Sequence, residues 1–184
     1  MRYLSLFSGA GGGDLAMQHL LGHKCMGYVE YDDYCQKVIK QRIADGVLDA
    51  APIFGDIKRF IAKWPKRFHQ KSYAAEYRGL VDVITGGFPC QPFSVAGKSR
   101  GESDERNMWP ATRRAIGIIR PRHVFLENVP GLLVHRYVRR IFGDLAQMGY
   151  DARWGIVGAD DVGAPHRRKR LWIMAYTNSP GSGA

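Results

Sequence analysis

An α/β domain built on a mostly parallel sheet of about seven strands is predicted by three observations. Short apolar runs alternate with helical patterns along the chain. Glycines or carboxylates follow the runs, as they do where strands end at a ligand site. One segment near the C-terminal end has clear amphipathic helical spacing. In order, Tyr3–Phe7 reads as a buried strand, then a glycine cluster, then Asp14–Leu21 as a helix. Lys24–Glu30 is the second strand and Tyr34–Ala44 the next helix, with Val38, Ile39 and Ile43 on one face. Ile53–Phe54 is a short third strand, and Val81–Thr85 a fourth that leaves through Gly86 and Gly87. Pro110 suits the first turn of a helix running to Ile119. Val124–Glu127 is the fifth strand, and Val138, Ile141, Phe142, Leu145 and Met148 form the apolar stripe of a further helix. Ala152–Val157 and Leu171–Tyr176 read as the last two strands.

The chain has 184 residues, 45% hydrophobic and 11% aromatic. That suffices for one domain with a full core and excludes a disordered tail or a disulfide miniprotein. Three cysteines with no CxxC pair argue against a structural metal or a disulfide framework and fit a reducing compartment. No apolar run approaches the roughly 18 residues of a membrane span, and the first residues lack the pattern of a signal peptide. A cytoplasmic location is expected. The net charge of +10 suggests a polyanionic partner. Its placement is uneven, with −2 over residues 1–57 and +12 over residues 58–184. The polyanion is therefore not expected on the N-terminal third.

That third instead carries the marks of a small nucleoside ligand. Gly9, Gly11, Gly12 and Gly13 join the first strand to the first helix and let backbone approach a ligand closely. The spacing is neither a P-loop nor the usual dinucleotide fingerprint. Glu30 ends the second strand, where an acid accepts from ribose hydroxyls, although a solvated strand end is the plain alternative. Asp56 follows the third strand and either accepts from an adenine amine or caps the next helix. Glycines, Glu30 and Asp56 at three successive strand ends point to an adenosine-containing cofactor. The negative N-terminal third suits a ligand with positive charge, as S-adenosylmethionine has.

The second cluster is reactive. Cys90 stands between Pro89 and Gln91-Pro92, after the fourth strand. Prolines fix the backbone and pre-position the thiol as a nucleophile. Cys25 and Cys35 read as small core residues. Glu127 ends an apolar strand, where partial desolvation favours its protonated form and suits proton donation or a bond to a base edge; a cap before Pro130, with Asn128 holding the turn, is the alternative. In the basic run 166–170, Arg168 and Arg170 alternate with Arg167 and Lys169, so one pair can face a site.

Together these motifs resemble the DNA cytosine-5 methyltransferases of bacterial and phage type. LFSGAGGGDLA, VEYDDYC, FGDI, GGFPCQPFSVAGKSRG, FLENVPGLL and GAPHRRKRLWIMA look like six motifs of that family in its order, over about Tyr3 to Ala175. The resemblance implies a Rossmann-like fold that binds S-adenosylmethionine. Phe7 and Tyr31 would contact the adenine ring, Glu30 the ribose, and Asp56 with Ile57 the adenine, with Gly9, Gly11, Gly12 and Pro89 also lining the cofactor. Cys90 would attack carbon 6 of a cytosine flipped out of double-stranded DNA. Glu127 would bond ring nitrogen 3 and the amine, Arg170 the carbonyl, and Arg168 would support the loop or a phosphate. Gln91, Ser94, Lys98, Arg100, Arg106, Asn128 and His166 would face DNA.

Two departures stand out. His166 replaces the glutamine of the family's eighth motif, which puts one contact in question. The family's order also continues into a target-recognition region and two further motifs, whereas 14 residues follow Arg170 here. The expected organisation is a catalytic and cofactor-binding domain over 1–176 and a flexible end over 177–184. Target recognition would be absent, or supplied by a second chain or a missing C-terminal segment. The competing expectations are a cofactor- or DNA-binding fragment without turnover and a tRNA cytosine-5 methyltransferase.

Overall fold

A computed structural model describes residues 1–63, 71–89, 107–134 and 136–177. Seven strands form one sheet: β1 (Arg2–Leu6), β2 (Lys24–Val29), β3 (Ile53–Phe54), β4 (Val83–Gly86), β5 (His123–Asn128), β6 (Tyr150–Val157) and β7 (Arg170–Thr177). Their order is β3-β2-β1-β4-β5-β7-β6. The first five run parallel, and β7 is antiparallel to both β5 and β6. The expected mostly parallel sheet of about seven strands flanked by helices is therefore present. Strand order reverses between β1 and β4, which is where such sheets open a crevice for ligands.

Strand β1 shows why the apolar runs were readable. Tyr3, Leu4, Ser5 and Leu6 are all buried, because a central parallel strand is covered on both faces. Alternate residues serve different cores. Leu4 and Leu6 join the larger one with Trp109, Ile116, Leu126 and Ile141. Tyr3 joins the smaller one with Met17, Cys25, Tyr28 and Ile39. Helices α1 (Gly12–Leu15) and α2 (Asp33–Ala44) link β1, β2 and β3. On the other side, α3 (Ile57–Ile61), α4 (Tyr73–Glu76), α5 (Trp109–Ile119) and α6 (Tyr137–Gln147) touch one another in turn.

Most predicted elements are present within a residue or two, and the differences have local causes. The first helix is α-helical only to Leu15 and then widens into a π-turn over Ala16–Leu20. In that turn Leu21 N donates to Ala16 O at 3.3 Å and His23 N to Met17 O at 2.9 Å. Strand β4 begins at Val83, and Asp82 before it pins the start of β1 twice: its N–H donates to Arg2 O at 2.8 Å and its carboxylate accepts from Arg2 N at 2.8 Å. The short helix α3 follows Asp56 as the capping alternative required, and α4 lies where the sequence reading placed no element. Of the expected flexible end over 177–184, Thr177 is the last residue of β7, and 178–184 lie outside the described residues. Among the described residues no helix is long and apolar enough to cross a membrane.

Candidate active site and cofactor cleft

The glycine turn, Glu30 and Asp56 lie at the carboxyl ends of β1, β2 and β3. Glu30 ties the first two together. Its Oε2 accepts from Gly9 N at 2.6 Å and its Oε1 from Asp32 N at 2.8 Å. Gln36 Nε2 donates to the Glu30 carbonyl at 2.9 Å, so α2 fixes the same residue from behind. Each carboxylate oxygen keeps a lone pair for another donor. The chain turns sharply here: Phe7 sits at φ 54°, a left-handed conformation unusual for a bulky residue. Gly9 and Gly11 are also left-handed. At Gly11 a Cβ would come within 2.8 Å of Leu48 Cδ1, so bulk as well as backbone angle selects glycine. At Gly9, Gly12 and Gly13 a Cβ would meet nothing within 4 Å, so the turn's outer side is open.

Asp56 precedes α3, and its Oδ1 accepts from Lys58 N at 2.8 Å. It is a helix cap, and it also lines a cleft of about 840 Å³ with Tyr31, Phe54, Arg59, Phe60 and Tyr73. Phe54 packs against Phe60 and Tyr73 with ring centroids 4.9 and 5.2 Å apart. Tyr31 is exposed at 79%. The cleft lining does not include Phe7, Glu30 or the glycine turn. Ile57 points its side chain into the core, at 4% exposure.

Across the switch point, the β5–β7 pairing places Glu127 opposite Trp172 and Asn128 opposite Leu171. Arg170, at the start of β7, reaches Glu127, with Nε 2.5 Å from Oε1. Its Nη1 also donates to Lys169 O at 2.9 Å. The sequence suggested a partly desolvated acid at an apolar strand end, and the structure gives a carboxylate about one-third exposed, with a guanidinium on it that the sequence reading did not place there. Gly87 makes room for this pair, because a Cβ there would lie 2.9 Å from Glu127 Oε2. Arg168 and His166 are exposed. Asn128, expected to face DNA, is turned inward at 3% exposure. Its Nδ2 donates to Phe88 O at 3.0 Å, and its Oδ1 accepts from Val129 N at 2.8 Å. Both ends of the amide thus hold backbone, the turn-holding alternative of the sequence reading.

Cys90, Gln91, Ser94, Lys98, Arg100 and Arg106 lie outside the described residues. The chain on either side of them is firmly held. Phe88 is buried against Trp109 at a centroid distance of 5.5 Å, and Pro89 is exposed. Trp109 Nε1 donates to Asp144 Oδ2 at 2.8 Å, and Asn107 Nδ2 to Tyr137 Oη at 2.8 Å. Cys25 is buried, and burial pushes its thiol up to about 12, which keeps it a packing residue.

One polar cluster beneath the glycine turn escaped the sequence reading. Asp14 is 2% exposed. It accepts from Tyr3 Oη at 2.9 Å and from Ser5 Oγ at 3.2 Å. Gln18 Nε2 donates to Tyr3 Oη at 2.8 Å, and Gln18 Oε1 accepts from Asp49 N at 2.9 Å. The available signal was Tyr3 and Ser5, two polar residues on one face of an otherwise apolar strand. Burial raises the Asp14 carboxyl above its ordinary value of 3.8, and the hydrogen bonds from Tyr3 and Ser5 oppose the rise. The folded state then holds a proton that the unfolded state releases above that ordinary value. This contribution is complete below about pH 4 and is lost as pH rises through the folded value. Asp14→Asn is therefore expected to gain stability relative to the parent as pH rises from 4. Urea midpoints across pH 4–8 measure the difference, and parallel curves would refute it.

With this geometry established, the comparisons with known proteins are decisive. The model of the family described as C-5 cytosine-specific DNA methylase matches residues 1–182. The chain belongs to that family. Type II methyltransferase M.HpaII of Haemophilus parainfluenzae is 34% identical over 190 residues, covering 97% of this chain and 47% of the relative. Type II methyltransferase M.NgoMIV of Neisseria gonorrhoeae is 31% identical over 179 residues, covering 95% and 51%. The crystal structure of the S. pombe Dnmt2 methyltransferase aligns with a TM-score of 0.71 at 20% identity, over 99% of this chain and 52% of that one. That likeness concerns the fold. The chain thus spans about half the length of these proteins.

Proposed function

We propose that this chain is the cofactor-binding and catalytic part of a DNA cytosine-5 methyltransferase. It would transfer a methyl group from S-adenosylmethionine to carbon 5 of a flipped cytosine in double-stranded DNA. The observation that carries this reading is the Glu127–Arg170 pair, set at the sheet's carboxyl edge beside the Phe88–Pro89 segment that leads into Cys90. Family membership supports the reaction type.

The cofactor site fits S-adenosylmethionine on chemical grounds. The Glu30 carboxylate has capacity for ribose hydroxyls, the glycine turn is open on its outer side, and Tyr31 with Asp56 lines the adjoining cleft. The cofactor supplies an electrophilic methyl group. The protein must make cytosine carbon 5 nucleophilic, because the unactivated ring is a poor nucleophile. The Cys90 thiolate adds to carbon 6, and the ring electrons move towards carbon 5. Glu127, oriented by Arg170, takes up a proton, donates it to ring nitrogen 3 and accepts from the exocyclic amine, which offsets the negative charge that thiolate addition places on the ring. Carbon 5 accepts the methyl group, with the demethylated thioether as the leaving group; the carbon 5 proton then passes to solvent water, and the bond from sulfur to carbon 6 breaks to release 5-methylcytosine and the thiolate. Asn128 acts here as a positioning residue through Phe88 rather than by touching DNA.

Two measurements test the proposal. Incubation with duplex DNA containing 5-fluorocytosine and S-adenosylmethionine is expected to give a protein–DNA adduct that survives denaturation; its absence would refute catalysis by this chain. Glu30→Ala is expected to weaken S-adenosylmethionine binding by about 10- to 100-fold, the loss of charge-assisted hydrogen bonds worth roughly 1.5–3 kcal/mol. Unchanged affinity by calorimetry would remove Glu30 from the site.

A further inference from the structure

Five arginines occupy the outer faces of α5 and α6 and have no part in the site above. Arg113 and Arg114 lie on α5. Arg136 caps α6, and Arg139 and Arg140 follow in its first turns. Asp144 is the single acid in the two helices, and it is spoken for. Its Oδ1 pairs with Arg113 Nε at 3.2 Å, while its Oδ2 takes the Trp109 indole and lies 4.0 Å from Arg140 Nε. Arg113 and Arg140 thus have partners, and the positive charge of the face rests on the other three. Arg114, Arg136 and Arg139 are exposed and form no ion pair among the described residues.

The arrangement is a strip. At about 100° per residue, Arg136, Arg139, Arg140 and Gly143 share an arc of roughly 100° on α6. Tyr137, Val138, Ile141 and Leu145 fill the opposite, buried side. A Cβ at Gly143 would meet nothing within 4 Å, so the strip has a smooth floor. The helices begin at the sheet's carboxyl edge, where Asn107 and Tyr137 join their N-terminal ends. The strip therefore starts at the edge that carries Glu127 and Arg170 and runs away from it. Arg136 and Arg139 are about 4.5 Å apart along the helix, close to the rise of about 3.4 Å per phosphate on one DNA strand.

From this placement we infer that the outer face of α5 and α6 is a second, sequence-independent contact for double-stranded DNA. Its arginines hold phosphates of the duplex flanking the target cytosine. The inference rests on the proposed function for its choice of DNA. It adds a surface that none of the family motifs contains, and it places part of the basic excess of residues 58–184.

The test compares the parent chain with a triple variant, Arg114→Gln, Arg136→Gln and Arg139→Gln, which leaves the Arg113–Asp144 pair intact. Fluorescence anisotropy with a duplex is read across salt concentrations, alongside the thermal midpoint. Each lost phosphate contact lowers the salt slope by about 0.9. A slope smaller by up to about 2.7 is expected, with affinity roughly tenfold weaker and the thermal midpoint unchanged. The matching lysine variants should restore the slope, because they keep the charge. An unchanged slope, parent binding without salt dependence, or tighter binding of folded RNA than of duplex DNA would each overturn the inference. The 5-fluorocytosine adduct and cofactor calorimetry are separate readouts of the proposed function. A parent chain that forms the adduct while its triple variant keeps the slope refutes the strip alone. A parent that forms no adduct yet shows the slope change refutes the catalytic reading alone.

Discussion

Cys90→Ala is expected to form no covalent complex with duplex DNA containing 5-fluorocytosine under conditions where the parent chain does. The expectation follows from the electron count. Addition of a thiolate to carbon 6 is what lends carbon 5 its nucleophilicity, and neither of the chain's other two cysteines can stand in. Cys25 is buried with its thiol pushed up to about 12, and Cys35 lies on α2, away from the β4–β5 edge. Fluorine at carbon 5 cannot leave as a proton, so the adduct that normally collapses is retained. The loss should be complete rather than graded, because alanine offers no nucleophile. Cofactor binding should survive, because Glu30 and the glycine turn belong to other strand ends. A denaturing gel of the trapped complex gives the answer. An adduct in the alanine variant would mean that another group attacks the base.

Trp109→Ala is expected to cost about 3–5 kcal/mol of folding stability, the usual loss for a large aromatic removed from a core. Trp109 is fully buried in the larger core, packs on Phe88 and satisfies Asp144 through its indole N–H. Alanine would leave a cavity and take a donor from a carboxylate only 13% exposed. Against the 5–15 kcal/mol that holds a typical domain folded, this is a large share. Trp109→Phe should keep most of the ring contact and forfeit the hydrogen bond, for about 1–3 kcal/mol. Urea unfolding of the three proteins separates these cases. A cost below about 1 kcal/mol for alanine would show that the core can collapse around the gap.

Much of this was legible because the central strands are buried on both faces. Tyr3–Leu6 and Val83–Ile84 are apolar runs since there is no solvent side to alternate towards. Glu30 and Glu127 stood out for the same reason, as charges that end such runs. Other features depended on partners distant in sequence. The pairing that sets β7 between β5 and β6 leaves no trace in the run of residues Leu171–Tyr176. Asn128 looked like a surface residue beside Glu127, but strand alternation turns it to the opposite face, where the Phe88 carbonyl takes its amide. Asp14 resembled an ordinary acid in a first helical turn, and only the approach of Tyr3 and Ser5 buries it. The helices α3 and α4, five and four residues long, were too short to show a period.

The reversed direction of β7 has a practical side. It starts at the edge where Arg170 meets Glu127 and finishes at Thr177, whose N–H donates to Arg122 O just before β5 begins. Eight residues at about 3.3–3.4 Å each put roughly 25 Å between those two points. A fluorophore or surface tether attached just after Thr177 would therefore emerge from the opposite rim of the molecule. Immobilised or labelled in that way, the protein would keep the rim that carries Glu127 and Arg170 turned towards free solution.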